Sequence, residues 1–152
     1  SRQGFNLKIT DMQAALGLAQ LEKLDEFVKI RRHNFDVLKQ GLSKHTNKLI
    51  LPEATPNANP SWFGFLITVK KDAGITRNEL IQKLDAKKIA TRLLFAGDLR
   101  KQPYFKDYDY RIVGDLPNTD IIVNDTFWIG VTPMINDEMM AYMIASFDEI
   151  LQ

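Results

Sequence analysis

Two stretches of the chain carry residue types that could do chemistry. The first is Gly4-Phe-Asn-Leu-Lys8, where Asn6 and Lys8 stand just ahead of a helix start. An amide donor, an ammonium and the free amides of a first helical turn together suit an anion such as a phosphate. An ordinary polar lead-in to a helix fits the same residues. The second is Thr91-Arg-Leu-Leu-Phe-Ala-Gly-Asp98. Here Arg92 leads into a glycine turn and an aromatic-rich loop, so its guanidinium with Phe95 and Tyr104 could clamp an anionic, ring-bearing ligand. An edge-strand arginine is the competing reading. His33 and His45, twelve residues apart, read as surface histidines rather than a metal pair. Asp107, Asp109, Asp115, Asp120 and Asp125 read as loop and cap residues, because the spacing of a calcium loop is absent. The chain has no glycine-rich phosphate loop and no Gly-x-Ser-x-Gly elbow.

The first stretch feeds a long helix. Thr10 and Gln13 form a capping box, Asp11 complements the positive helix end, and Gly41 marks the expected stop. About 30 residues of helix would span about 45 Å, against a radius of gyration of about 15 Å for a domain of this length. Such a helix must overhang or bridge. Ala14, Gly17, Leu21, Leu24, Val28, Phe35, Leu38 and Leu42 keep a seam spaced by three and four, broken at Arg31. In the first half, Met12, Ala15, Leu16, Leu18 and Ala19 cover other faces as well, and a helix apolar nearly all round expects cover on all sides. The second half, with Lys29, Arg31, Arg32, His33, Asn34 and Asp36, reads as amphipathic and half solvated.

The second stretch needs a sheet. Residues 62–69 are β-branched and aromatic throughout, and alternation puts Phe63, Phe65, Ile67 and Val69 on one face and Trp62, Gly64, Leu66 and Thr68 on the other. Both faces are largely apolar, which predicts a central strand. Residues 89–95 and 126–131 read as further strands, and residues 48–51 as a short apolar run closed by Pro52. Thr76 with Glu79 caps a helix ending near Lys87, residues 116–124 suit a short helix, and Asn136 caps the last one. Met140, Met143, Ile144, Phe147 and Leu151 recur at helical spacing as a core stripe. The order predicts an α+β fold: a long N-terminal linking helix, then a small, mostly antiparallel sheet with helices on one face. The division expected is residues 1–45 for the motif and linking helix, and 46–152 for the small domain.

Composition closes off other classes. The net charge is +1, from 20 basic and 19 acidic residues, so no field for a polyanion is implied and nucleic acid is not an expected partner. The absence of cysteine excludes a disulfide framework, a thiolate zinc site or an iron–sulfur ligand within these 152 residues. No apolar run approaches the ~20 residues of a membrane span, and nothing reads as a signal peptide. The expectation is a cytoplasmic protein, and a chain opening on Ser1 rather than Met is expected to be a piece of a longer one.

Both chemical stretches, with the final third of the chain, carry a family resemblance. Gly4-Phe-Asn-Leu-Lys-Ile-Thr-Asp-Met-Gln-Ala-Ala15 and Ala19-Gln-Leu-Glu-Lys-Leu24 resemble the start of the long helix in DegT–StrS sugar aminotransferases, vitamin B6 enzymes of fold type I. Pro60-Ser-Trp-Phe-Gly-Phe65, Thr91-Arg-Leu-Leu-Phe-Ala-Gly97, Gln102-Pro-Tyr-Phe105, Tyr110-Arg-Ile-Val-Gly114 and Asn124-Asp-Thr-Phe-Trp-Ile-Gly130 resemble the branch of CDP-4-keto-6-deoxyglucose 3-dehydrases. The resemblance implies the C-terminal small domain and linking helix of a pyridoxamine 5'-phosphate-dependent dehydrase that removes the C3 oxygen of a 4-keto-6-deoxyhexose. The large domain would lie outside this chain. It would hold most of the pyridoxamine or pyridoxal phosphate, the position occupied by a Schiff-base lysine or a histidine base, and the iron–sulfur cysteines. Asn6 and Lys8 match residues that reach the partner subunit's cofactor phosphate; Lys8 stands where many relatives have arginine, a point charge replacing a fork. Arg92, Phe95, Gly97 and Arg111 would border the nucleotide-sugar site, and Asp98 stands where asparagine is expected. A homodimer, a reductase partner, a nucleotide-sugar substrate and no turnover by the isolated chain follow from the same resemblance. Two alternatives stand beside it: a family aminotransferase, and a non-catalytic interaction module docking through the apolar helix.

Overall fold

The computed structural model describes residues 7–152. The capping box forms as its residue types require: Gln13 N donates to Thr10 Oγ1 at 3.3 Å, and Thr10 N to Gln13 Oε1 at 2.8 Å. It starts α1 (Asp11–Leu21). The expected single helix is two. At Lys23 the backbone amide bonds Gln20 O three residues back, and α2 (Leu24–Leu42) starts afresh. No proline or glycine marks this break in the sequence. None of the residues of α1 is buried, so its all-round apolar surface has no cover within the described residues.

Four strands follow in the order β1 (Leu49–Ile50), β2 (Gly64–Val69), β4 (Thr126–Gly130), β3 (Thr91–Arg92), every pairing antiparallel. β2 is central, as its two apolar faces required. Phe65 pairs with Ile129 and Ile67 with Phe127, which puts all four side chains on one face. That face is covered by α2, α3 (Arg77–Ala86) and α5 (Asp137–Leu151) around a core including Phe35, Leu38, Leu80, Leu84, Met140 and Phe147. The methionine stripe is therefore core. α4 (Pro117–Asp125) contacts β2 and β4 before the chain enters β4.

Five expectations need correction. Residues 48–51, read only as an apolar run, supply edge strand β1. Residues 89–95 pair only at Thr91 and Arg92, because the chain turns at once: Phe95 N bonds Leu93 O, and Phe95 takes a φ of 42°. Gly41 does not stop α2, which runs one residue further. A Cβ there would lie 2.4 Å from Ile144 Cδ1, so the glycine lets α2 approach α5. Asn34 is buried rather than solvated; its amide donates to the carbonyls of Thr132 and Ile135 and ties α2 to the connection after β4. His45 is not a surface histidine: Nε2 lies 2.7 Å from Asp148 Oδ1, in a site that leaves its side chain 12 % exposed. His33 stays half exposed, 3.2 Å from Asp137. Among the described residues no helix is long and apolar enough to cross a membrane.

Candidate functional site

An aromatic shelf lies on the sheet face away from the helices. Alternation along β2 and β4 sends Gly64, Leu66, Trp128 and Gly130 there. Arg92 pairs with Trp128 across β3 and β4, so the two share this face. Trp128 is held from three sides. Its indole N–H donates to Leu93 O at 3.3 Å, Phe63 packs against it at a centroid distance of 4.9 Å, and Gly64 lies directly beneath. A Cβ at Gly64 would fall 2.4 Å from Trp128 Cε3, so only glycine lets the indole lie on the strand. With Trp62, Leu66, Leu94 and Phe95, these residues line an open apolar cavity of about 230 Å³.

Phe63 reaches this face because the alternation expected for residues 62–69 fails at its start. The backbone bends at Phe63, and Trp62 turns inward to stack on Phe35 at 3.8 Å and 2° between planes. The Trp62 ring therefore packs toward the core and the Phe63 ring on the shelf, the reverse of strict alternation, while Trp62 still borders the cavity.

The structure brings together Arg92 and Phe95 beside this shelf. Arg92 is exposed; Nη1 donates to the neighbouring Thr91 carbonyl at 2.9 Å, and no carboxylate pairs with it among the described residues. Phe95 is 88 % exposed. Gly97 takes a φ of 65°, and a Cβ there would meet Val123 Cγ2 at 3.1 Å, so this turn favours glycine twice over. Asp98 is a structural residue. It accepts from Arg100 N at 3.0 Å and is gripped by the Arg100 guanidinium, which holds its carboxyl below the usual range and raises the arginine in turn. Lys101 is likewise engaged, 2.9 Å from Asp120. The two neutralised cations leave Arg92 and Arg111 as the arginines of residues 91–115 without a carboxylate partner among the described residues. Arg111 is exposed, and no hydrogen bond or ion pair ties it to the shelf. Tyr104, expected beside Phe95, belongs instead to a separate cluster with Phe105, Tyr108 and Tyr110.

Trp128, Phe63 and Gly64 are the residues that sequence reasoning missed. Trp128 joins the site only through its register with Arg92, a pairing 36 residues apart in sequence. The Phe-Gly-Phe spacing is the one local signal, a glycine inside an aromatic strand marking close approach.

The sequence profile of the DegT/DnrJ/EryC1/StrS aminotransferase family matches residues 1–148. The chain belongs to this family. It is 57% identical over 98% of its length to the lipopolysaccharide biosynthesis protein RfbH of Salmonella typhimurium, covering 34% of that protein. It is 48% identical over 99% of its length to the dTDP-4-dehydro-2,6-dideoxy-D-glucose 3-dehydratase of Saccharopolyspora spinosa, covering 32% of it. The structure of the Escherichia coli GDP-4-keto-6-deoxy-D-mannose-3-dehydratase with bound hydrated PLP superposes with a TM-score of 0.86 at 26% identity, over 99% of this chain and 37% of that one. The chain thus spans about a third of the length of the relatives it matches.

The family's cofactor makes Lys8 the residue to test for fit. Lys8 is exposed just ahead of α1. The capping box uses the Gln13 amide and leaves the Asp11 and Met12 amides to outside acceptors. An ammonium beside free amides suits a phosphate, although the Asp11 carboxylate sits in the same turn. Leu7, Ile9 and Thr10 are also exposed and form no slot for a ring. This chain's donor set at the start of α1 fits the phosphate end of the cofactor and not its ring. Asn6 lies outside the described residues.

Proposed function

We propose that the chain is the C-terminal part of a pyridoxamine 5'-phosphate-dependent nucleotide-sugar 3-dehydrase, acting on a 4-keto-6-deoxyhexose in lipopolysaccharide or related polysaccharide synthesis. The observation that carries this is the 48% identity to the 3-dehydratase of Saccharopolyspora spinosa, against 30% to the putative pyridoxal phosphate-dependent aminotransferase EpsN of Bacillus subtilis and 27% to the dTDP-4-amino-4,6-dideoxy-D-glucose transaminase of Shigella dysenteriae. A family aminotransferase is the second reading, favoured by the family's own description.

In this reading the enzyme is a cytoplasmic homodimer served by a reductase partner, and any iron–sulfur ligands lie outside this cysteine-free chain. Lys8 and Asn6 approach the cofactor phosphate across the dimer, and the bound cofactor supplies an electron sink for loss of the C3 oxygen. Residues 1–45 carry the motif and the linking segment, now two helices of which α2 packs into the core, and residues 46–152 the rest of the small domain. Arg92, with no carboxylate to neutralise it among the described residues, faces the substrate's diphosphate, and Arg111 adds a second cation. Phe95 and the Trp128 shelf exclude water and receive the planar or apolar parts of the ligand. Gly97 sets the turn that presents Phe95. Side chains here bind and orient; none is placed to move a proton.

Two measurements on the full-length protein test this. Incubation with pyridoxal phosphate, borohydride reduction and mass spectrometry should leave no lysine adduct; an adduct would establish the aminotransferase. Alanine at both Asn6 and Lys8 should weaken cofactor binding about tenfold or more, the equivalent of one lost charged contact. Unchanged affinity would remove the phosphate role.

A further inference from the structure

We infer that Arg31 and Arg32 of α2 are positioning residues for the aromatic shelf, acting on it from the opposite side of the sheet; this rests on the shelf being the ligand-bearing face. Residues 59–62 precede β2 and have no ladder partner, so their carbonyls need other donors. Arg32 supplies two: Nη2 donates to Asn59 O at 2.9 Å and Nε to Pro60 O at 3.1 Å. Arg31 Nη1 donates to Trp62 O at 3.2 Å. Phe35, one helical turn on, stacks on the Trp62 ring. One turn of α2 therefore grips both the backbone and the side chain of the segment entering β2. With Trp62 held inward, the bend at Phe63 sends the next ring to the far face, onto Trp128.

Neither arginine has a carboxylate within ion-pair distance among the described residues, so their bonded partners are these carbonyls. The planar fork of Arg32 reaches two successive carbonyls at once, which a lysine ammonium on a flexible stem does not reproduce. Arg31 also explains the break in the apolar seam of the helix. A polar residue there costs core contact, and in exchange the start of β2 is fixed in one geometry.

The test is the double variant Arg31→Lys with Arg32→Lys in the full-length protein. Labelling with 5-fluorotryptophan and fluorine NMR follows the Trp128 signal, assigned by Trp128→Phe. The Trp128 resonance should shift or broaden. KM for the nucleotide sugar should rise about tenfold, with kcat held within about twofold, because binding geometry and not the reacting centre is disturbed. Should the double variant fail to fold, Arg31→Lys alone removes only the bond to Trp62 O and takes the same readouts. A Trp128 signal identical to wild type, whatever happens to the melting temperature, overturns the inference. A moved signal with unchanged KM upholds the positioning and removes the shelf from the substrate site.

Discussion

Gly64→Ala tests the geometry of the shelf most directly. The added methyl would sit 2.4 Å from Trp128 Cε3 and 3.1 Å from Cδ2 and Cζ3, atoms in the body of the ring. The indole cannot slide along its own plane without losing the bond to Leu93 O or the contact with Phe63. Overpacking of this kind costs about 1–3 kcal/mol. Loss of the indole hydrogen bond adds about 0.5–1.5 kcal/mol. Against this, replacing glycine restrains the unfolded chain and returns about 0.4–1 kcal/mol. The balance is a destabilisation of about 0.5–4 kcal/mol, or a fall in melting temperature of about 2–4 °C for each kcal/mol in a domain of this length. Thermal denaturation followed by circular dichroism, with tryptophan fluorescence on a Trp62→Phe background, reads both the energy and the ring. Gly17→Ala is the control: nothing lies within 4 Å of a Cβ there, in the middle of α1. That substitution should be neutral or stabilise helix α1 by up to about 1 kcal/mol. If Gly64→Ala melts with the wild type and leaves the Trp128 emission unchanged, the indole does not rest on β2 and the shelf as described is wrong.

Other substitutions probe the framework that carries the site. Asn34→Ala strands the carbonyls of Thr132 and Ile135 and should cost about 1–3 kcal/mol, read as a lower urea midpoint. Gly97→Ala forces a left-handed residue against Val123 and should cost about 1–2 kcal/mol, with Phe95 displaced in a crystal structure. Asp148 is bonded first by Lys44 and then by His45, which lowers its pKa below the ordinary 3.8. A folded-state value below the unfolded one stabilises the fold above the unfolded value, and this is lost as pH falls through the lower folded value. Urea titrations should therefore show Asp148→Asn less stable than wild type above about pH 5, the margin closing below about pH 4. A constant margin down to pH 2 would mean that the carboxylate charge is not what holds α2 and its following turn to α5.

What could be read beforehand divides by the range of the interaction. Both capping boxes, Thr10 with Gln13 and Thr76 with Glu79, form as expected because each depends on four consecutive residues. The core stripe of α5 and the central position of β2 were legible because a periodic pattern is a local property. The break at Lys23 was not, since no residue there disfavours helix. The burial of Asn34 and His45 was also hidden: each is paired with a group about a hundred residues away. The shelf failed to show for the same reason. Arg92 and Phe95 could be picked out from their own neighbourhood, but Trp128 enters only once β3 and β4 are in register.

The departures from pattern are informative in themselves. Along α2 the seam is interrupted at Arg31, and at the start of β2 alternation is interrupted at Trp62 and Phe63. Taken singly, each looks like noise in a periodic signal. In space they are one event: the residue that breaks the seam donates to the carbonyl of the residue that breaks the alternation. A sequence that followed both patterns would place the Trp62 ring on the shelf and the Phe63 ring in the core, with an apolar residue at position 31 and the Trp62 carbonyl without its donor. Phe35 would then lose its stacking partner, and Trp128 would meet a larger ring where Phe63 now lies. Local rules are expected to yield where a fold must present a particular surface. Here two of them yield at one contact, on the far side of the sheet from the surface they set.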